Sequence, residues 1–229
     1  MIPGLLSQRS SVPAGVIPQL FTNEELLAAS SDLKISLDVT QADLLRRYCE
    51  LLWDWNSRIN LTRHNDLDSF VGRDLLDSHE LAQTLSEGAT IVDVGSGGGV
   101  PGVLLAIIRP DLTVALCESV GKKASALQNI VTQLQLPVRV HGQRVQELLE
   151  THTFDLATVR AVAPVSKLVP WFRRHWERYG QLLLVKGPRW KDELADAEEA
   201  GVMHRRHAEQ IRQWSSPGRD GDSVVLRIC

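Results

Sequence analysis

A short apolar run leads directly into a glycine-rich loop, and this junction limits the folds open to the chain more than any other feature. Ile91 to Val94 predict a buried strand, and Leu104 to Ile108 predict an apolar helix. The segment Asp93 to Gly102 connects the end of this strand to the helix. Its glycines permit positive φ and let the backbone approach a ligand closely. In open α/β sheets, ligands bind at such strand-to-helix junctions, outside the carboxyl ends of the strands. The junction therefore predicts an α/β fold with a ligand site at this loop.

The rest of the chain after residue 89 repeats the same alternation. Further strands are predicted at Thr113–Glu118, Val138–His141, Phe154–Val159 and Gln181–Lys186, with helices at Lys122–Leu134 and Val165–Tyr179. Strands that alternate with helices form parallel units in a doubly wound sheet. Val202–Trp214 and Ser223–Cys229 are predicted to form a hairpin, which would end this mostly parallel sheet with an antiparallel last strand.

We predict three segments along the chain. Residues 1–20 carry three prolines and are expected to form a flexible tail. Residues 21–88 show helical patterns and no strand, so we expect an N-terminal helical extension that packs as a cap on the rest of the chain. Residues 89–229 are expected to form the ligand-binding domain.

Composition narrows the class of protein. The 229 residues include 43% hydrophobic and 23% charged residues, as in ordinary globular domains. A net charge of −3 gives no overall basic field, although a local basic patch suffices for phosphate contact. Three cysteines without C-x-x-C spacing indicate neither a zinc site nor a disulfide framework and are typical of a reducing cytosol. The apolar runs are too short to span a bilayer.

Charge helps to identify the ligand of the glycine loop. Gly97 to Gly102 match G-x-G-x-x-G, which by itself also fits a dinucleotide site. However, Asp93 precedes Gly95 by two positions, and this pattern resembles the first motif of class I methyltransferases. A carboxylate there would repel a pyrophosphate, whereas S-adenosylmethionine carries an ammonium and a sulfonium. Glu118, at the end of the second strand, could bind ribose hydroxyls of either cofactor, and Val145-Gln146 could hold an adenine edge.

Several segments together resemble one family. They are Asn60–Thr62, Arg73–Ser78, Asp93–Gly102, Glu118–Lys123, Val159–Ala161 and Lys186–Gly187. The family is the bacterial small-subunit ribosomal RNA guanine-N7 methyltransferases, known as RsmG or GidB. The resemblance implies a class I methyltransferase (Rossmann-like) fold and a cytoplasmic enzyme. It would use S-adenosylmethionine to methylate N7 of one guanine in 16S ribosomal RNA or the small subunit.

The resemblance and the loop chemistry together give the expected cofactor-binding residues: Asp93, Gly95, Gly97, Gly99, Val100, Glu118, Val145, Gln146 and Arg160. The pair Val145-Gln146 departs from the Val-Glu or Ala-Glu that is common in the family. If this contact uses the main chain, the change matters little, whereas a contact through the side chain would alter donor affinity.

The predicted chemistry needs positioning more than proton transfer. Guanine N7 has a lone pair and no proton, so no general base is required, and no metal ion is expected. Arg160, Lys186 and Arg73 are the catalytic candidates. Arg160 and Lys186 end consecutive predicted strands, so both are expected to face the crevice of the glycine loop, where an Arg could engage guanine O6. We also expect a monomer with a basic rim formed by Arg58, Arg63, Arg73, Lys122, Lys123, Lys186 and Arg189.

Three other functions stay open at this point. The chain could be a class I methyltransferase that acts on a small molecule or a protein, an NAD-binding protein of Rossmann type, or an RNA-binding module without catalytic activity.

Overall fold

The computed structural model describes residues 20–229, which form a seven-stranded sheet with helices on both faces. The predicted tail, residues 1–20, lies outside the described residues except for Leu20. The strands are β1 (Thr90–Val94), β2 (Thr113–Cys117), β3 (Arg139–His141), β4 (Phe154–Arg160), β5 (Tyr179–Lys186), β6 (Ala208–Ser215) and β7 (Asp222–Ile228).

The order of the strands places a crevice beside β1. Across the sheet the order is β3-β2-β1-β4-β5-β7-β6. The chain first runs outward from β1 to β2 and β3, and then returns to place β4 on the other side of β1. Helices leave β1 and β4 toward opposite sides at this reversal, which opens a crevice at the carboxyl ends of the two strands. The glycine loop after β1 and Arg160 at the end of β4 therefore meet at one edge of the sheet.

Helices cover the two faces of the sheet in two hydrophobic clusters. One cluster includes Leu104, Leu127 and Trp214, and the other includes Leu148, Leu168 and Ala197. No helix within residues 20–229 combines the length and the apolar character needed to cross a membrane. The helices are α1 (Asn23–Asp32), α2 (Val39–Asn56), α3 (Leu67–Ser69), α4 (Leu76–Ala82), α5 (Gly102–Ile108), α6 (Gly121–Gln133), α7 (Val145–Thr151), α8 (Val165–Phe172) and α9 (Trp190–Glu199).

The first helices begin at well-formed caps. Thr22 and Asp38 each make a reciprocal capping box, with Glu25 and Gln41 respectively, so that backbone N–H groups at the helix starts are satisfied. A π-helical segment, Phe70–Leu75, joins α3 to α4. Residues from this region share one hydrophobic cluster with the helices and strands on the same face of the sheet. The boundary between residues 21–88 and 89–229 thus stays a prediction, because the two segments have a core in common.

The fold class predicted from the sequence is confirmed, including the antiparallel hairpin at the end of the chain. Several details of the prediction are wrong. The first strand of the hairpin, expected from Val202, begins only at Ala208. The helix expected over Val165–Tyr179 ends at Phe172, and Tyr179 instead begins β5, where it pairs with Phe154. Helices α7 and α9 were not predicted, because α7 has seven residues and α9 buries only Ala197, so neither shows a strong periodic pattern.

Candidate active site

A cavity of about 1180 Å³ opens at the crevice between the carboxyl ends of β1 and β4. Small-ligand sites usually measure about 300–1,000 Å³, so this volume accommodates one small molecule and leaves room for part of a second. One wall consists of Val94–Gly98, Val100, Cys117–Val120, Lys123 and Gln143–Gln146. The other wall, formed by the helical segment, the end of β4 and α8, consists of Leu52, Asn60–His64, Asp74, Arg160–Val162 and Trp171, and it adjoins the first wall at Gly95 and Gly98.

Backbone conformation in the glycine loop depends on glycine at defined points. Gly95 has φ +71, and a Cβ there would lie 2.6 Å from Cγ2 of Val162. Gly97 has φ +56 and lines the cavity, and the space that a Cβ would occupy there is open to a ligand. Gly99, at φ +107, faces α5 rather than the cavity, because an added Cβ would meet Val103. Gly95 and Gly97 thus fit the predicted cofactor contact, and Gly99 shapes the turn.

Asp93 lies beneath the loop and is not part of the cavity wall. Its carboxylate accepts hydrogen bonds from the Gly102 N–H (3.2 Å) and from Thr158 Oγ1 (3.3 Å). Burial raises the pKa of Asp93 to about 6, although these hydrogen bonds favour the ionised form. The expectation that this carboxylate faces the ligand is therefore wrong: Asp93 holds the loop against β4 and the start of α5.

Glu118 presents a carboxylate to the cavity and fits a ribose. Its two oxygens accept hydrogen bonds from the N–H groups of Gly97 (2.9 Å) and Val120 (2.8 Å), which fix the side chain. A carboxylate has about four lone-pair sites, so both oxygens can still accept from ribose hydroxyls. Val145 and Gln146 lie farther along the same wall, after β3. Together with the open backbone at Gly97, this wall fits the nucleoside of S-adenosylmethionine.

The other wall includes a loop from the helical segment, residues 57–66. The Asn56 side chain fixes this loop: its Oδ1 accepts from the N–H groups of Leu61 (2.7 Å) and Thr62 (3.0 Å). Tyr48 Oη donates a hydrogen bond to the Gly98 carbonyl (2.9 Å), which ties α2 to the glycine loop. The predicted cap thus supplies part of the cavity itself.

Arg160 joins a buried cluster of charges on this wall. Its Nη2 donates to Asp74 Oδ1 and its Nε donates to Asp77 Oδ2, each at 2.8 Å. His64 Nδ1 lies 2.9 Å from the same Asp74 oxygen, and Trp214 Nε1 donates to the other Asp77 oxygen. Burial alone would lower the pKa of Arg160, but the two carboxylates outweigh it and raise that pKa above its usual value. Arg160 is therefore a fixed cation in the cavity wall.

The other two catalytic candidates do not line the cavity. Lys186 is 7% exposed, and its Nζ donates to the Ala163 carbonyl (2.7 Å) and to Glu193 Oε2 (2.8 Å). The expectation that Lys186 faces the crevice beside Arg160 is wrong, because Glu193 of α9, a helix that was not predicted, binds it. Arg73 extends toward the β6–β7 turn, where its Nη2 lies 3.4 Å from the Gly218 carbonyl.

The predicted basic rim is only partly assembled. Arg63 and Lys123 line the cavity, and Arg144, which was not predicted, lies beside them. Arg58 instead packs over the Trp55 ring and pairs with Asp54. His64 and Asp74 also line the cavity, although neither was among the expected site residues. Asp74 lies within the segment Arg73–Ser78 that carries part of the family resemblance, and this was the available signal.

Comparison with known proteins identifies relatives over most of the chain. Residues 41–220 match the family model described as rRNA small subunit methyltransferase G (GidB). A protein from Rhodopirellula baltica is 45% identical over 179 residues, which cover 78% of each chain. One from Chromobacterium violaceum is 40% identical over 205 residues, which cover 89% of this chain and 96% of the relative. Both relatives are named ribosomal RNA small subunit methyltransferase G.

Solved structures with the same fold are more distant in sequence. An O-methyltransferase from Bacillus cereus in complex with SAH has a TM-score of 0.54 and 16% identity, covering 90% of this chain and 99% of that one. At this identity the likeness concerns the fold alone.

Proposed function

This chain belongs to the rRNA small subunit methyltransferase G family, as the resemblance predicted, and on that premise we propose that it methylates 16S ribosomal RNA. The methyl donor is S-adenosylmethionine and the acceptor atom is N7 of one guanine. The observation that carries the proposal is the cavity at the switch point of the sheet, which is lined both by the glycine loop with Glu118 and by Arg160 with Asp74. Family membership argues against an NAD-binding protein and against a small-molecule or protein substrate, and the methylation assay below tests the alternative of an RNA-binding module without catalytic activity.

One wall has the groups that hold the donor. The methyl group of S-adenosylmethionine is bound to a sulfonium. The sulfur therefore leaves as a neutral thioether and needs no protonation by an acid. Glu118 accepts from the ribose hydroxyls, the backbone at Gly95 and Gly97 lies against the rest of the donor, and Gln146 lies at the adenine end. Asp93 acts indirectly, by holding the loop that makes these contacts.

The other wall receives the guanine. N7 carries a lone pair and no proton, so the site needs neither a base nor a metal ion, and correct placement supplies most of the rate enhancement. Arg160 contributes a fixed positive group beside the base, whereas Lys186 positions the segment after β4 through the Ala163 carbonyl. Arg63, Lys123 and Arg144 line the cavity and, in this proposal, contact RNA phosphates. We further propose that the protein acts as a monomer in the cytoplasm.

Labelled S-adenosylmethionine tests this proposal directly. The protein is incubated with 16S RNA and, separately, with purified small subunits, and the modified base is then mapped. We expect label at N7 of a single guanine. Label on a pyrimidine or on an exocyclic amine would contradict the assignment, and calorimetry with S-adenosylhomocysteine and NAD would reveal a wrong cofactor.

A further inference from the structure

Asp74 lines the cavity, and one of its carboxylate oxygens is buried without a hydrogen-bond partner in the described part of the chain. Asp74 is 1% exposed, and its Oδ2 has no partner among residues 20–229. The two other buried atoms of this kind in the described part of the chain are the hydroxyls of Ser30 and Ser216, and neither residue lines the cavity. A carboxylate oxygen that is withdrawn from water and left unpaired is costly, so it calls for a partner, either an ordered water or a ligand that binds beside it.

The position of Asp74 separates it from the donor-binding wall. It lies on the wall with Arg160 and His64, on the β4 side of β1, whereas Glu118 and Gln146 lie on the β2 and β3 side. Its other oxygen is already used, because Oδ1 accepts from Arg160 Nη2 and contacts His64 Nδ1. The unpaired oxygen is therefore held in place next to Arg160, on a residue that lines the cavity.

Resting on the proposed function, we propose that Asp74 is the residue that selects guanine, by accepting a hydrogen bond from N1–H through Oδ2 while Arg160 donates to O6. Arg160 has five N–H groups, and its two ion pairs use two of them, so donors remain for O6. In guanine the order along the ring edge is N1–H, O6 and then N7. The Asp74 oxygen can accept from N1–H while the neighbouring Arg160 donates to O6. This pairing fits the order of the ring edge when N7 points toward the wall that holds the methyl donor.

The same order rejects adenine and other purines that lack N1–H and O6. A base that presents a lone pair at N1 would face the Asp74 oxygen with another acceptor, and a base without O6 would leave an Arg160 N–H unpaired. Sites built to hydrogen-bond a substrate discriminate strongly against analogues that leave their buried polar groups unpaired.

Charge in the cluster also favours the reaction. Two carboxylates, Asp74 and Asp77, flank the single guanidinium of Arg160, a formal surplus of one negative charge. The N7 lone pair forms the bond to the methyl carbon while the carbon–sulfur electron pair stays on sulfur, and no proton moves. Positive charge thus passes to the purine ring and makes N1–H a stronger donor. A fixed carboxylate at N1 stabilises this developing charge more than it stabilises the neutral base.

The test compares guanine with 2-aminopurine at the mapped position of 16S RNA, since 2-aminopurine keeps N7 but lacks N1–H and O6. For the wild-type protein we expect a preference for guanine in kcat/KM of at least about 100-fold. Asp74→Asn should lower this preference by about tenfold or more, because its amide can donate to the N1 lone pair. The variant should likewise show a smaller preference for guanine-containing over 2-aminopurine-containing RNA in equilibrium affinity, measured in the presence of S-adenosylhomocysteine.

Asp77→Asn is the matched control. It removes the same charge from beside Arg160, but both Asp77 oxygens are bonded within the protein and Asp77 does not line the cavity. We expect it to alter stability and turnover while the preference for guanine stays within about threefold of wild type. Equal preferences in the two variants would overturn the proposal, as would weaker S-adenosylhomocysteine binding by Asp74→Asn with an unchanged base preference.

Failure of the proposed function gives a different result. In that case the wild-type protein would bind S-adenosylhomocysteine without methylating N7 of any 16S guanine. If Asp74→Asn does not fold, the wild-type comparison of the two bases decides alone, since a preference below about tenfold contradicts selection at N1 and O6.

Discussion

The Asp93 carboxylate is enclosed by the protein, and its protonation couples stability to pH. Its pKa rises from a usual value of 3.8 to about 6, because burial disfavours the charged form. The folded protein therefore binds this proton more tightly than the unfolded chain does. The resulting stabilisation is complete below about pH 4 and is lost as the pH rises through 6, which amounts to about 3 kcal/mol.

Asp93→Asn should remove this dependence on pH. We expect the free energy of unfolding of the variant, relative to wild type, to increase by about 3 kcal/mol between pH 4 and pH 7. Urea denaturation at several pH values measures the difference, and other titrating groups cancel because both proteins contain them. Parallel stability curves for the two proteins would show that the Asp93 pKa is not raised.

Gly95 is constrained both by its backbone and by its neighbour. Gly95→Ala would force a Cβ to within 2.6 Å of Val162 at φ +71, whereas Gly88→Ala, at φ +69, meets nothing within 4 Å. Both variants carry the strain of a left-handed alanine, so their difference isolates the contact with Val162. We expect Gly95→Ala to be the less stable by about 1–3 kcal/mol and to bind S-adenosylhomocysteine more weakly. Equal stabilities by urea denaturation would show that Val162 moves aside readily.

Arg160 has a structural role that its sequence context did not reveal. Arg160→Ala would leave Asp74 and Asp77 buried without their cation, so we expect a loss of about 3–5 kcal/mol in unfolding free energy together with loss of turnover. Arg160→Lys keeps the positive charge but loses the planar guanidinium, which donates to two partners at once. We expect this variant to retain more stability than activity. Thermal melts beside methyl-transfer assays separate the two effects, and an Arg160→Ala protein as stable as wild type would contradict the role of the cluster.

At the scale of elements, Asn56 determines the shape of the loop at residues 57–66. Asn56→Ala removes the acceptor for the Leu61 and Thr62 N–H groups, so these amides should exchange with solvent at least about tenfold faster. RNA turnover should fall more than S-adenosylhomocysteine affinity, because this loop belongs to the wall that does not contain Glu118.

Asn65→Ala provides the control for this loop. Asn65 accepts a hydrogen bond from Asn56 Nδ2, and its removal leaves the bonds to Leu61 and Thr62 in place. We expect near-normal exchange of these two amides in Asn65→Ala. Fast exchange in both variants would mean that the loop depends on the pair and not on the Asn56 carbonyl oxygen.

At the scale of the whole molecule, the helical segment and the sheet share a core. Tyr48 and Leu52 belong to the same cluster as Leu104 and Trp214, and Trp214 also donates to Asp77 of α4. We therefore expect residues 21–88 and 89–229 to unfold in one step, with equal calorimetric and van't Hoff enthalpies. An earlier transition confined to the amides of α1 and α2 would instead support an independently stable cap.

Much of the fold could be predicted because its signals are local. Each of β1, β2, β4 and β5 contains a short buried apolar run, and α6 has a clear apolar face, so alternation of strands and helices was visible. Helix α9 was missed because its residues are mostly exposed and charged. This mattered at Lys186, since Glu193 on that helix draws the lysine away from the crevice.

The sequence by itself determined the family, the succession of strands and helices along the chain, and the glycine loop with Glu118, because these depend on residue types at short spacing. Only the tertiary structure decided that Asp93 turns under the loop and that Arg160 pairs with Asp74, a residue 86 positions earlier. The physical reason is that a charged side chain withdrawn from water must find its partner wherever the packing of distant elements brings one. In this fold Arg160 is that partner for one oxygen of Asp74, and the other oxygen is the one that we propose for the guanine.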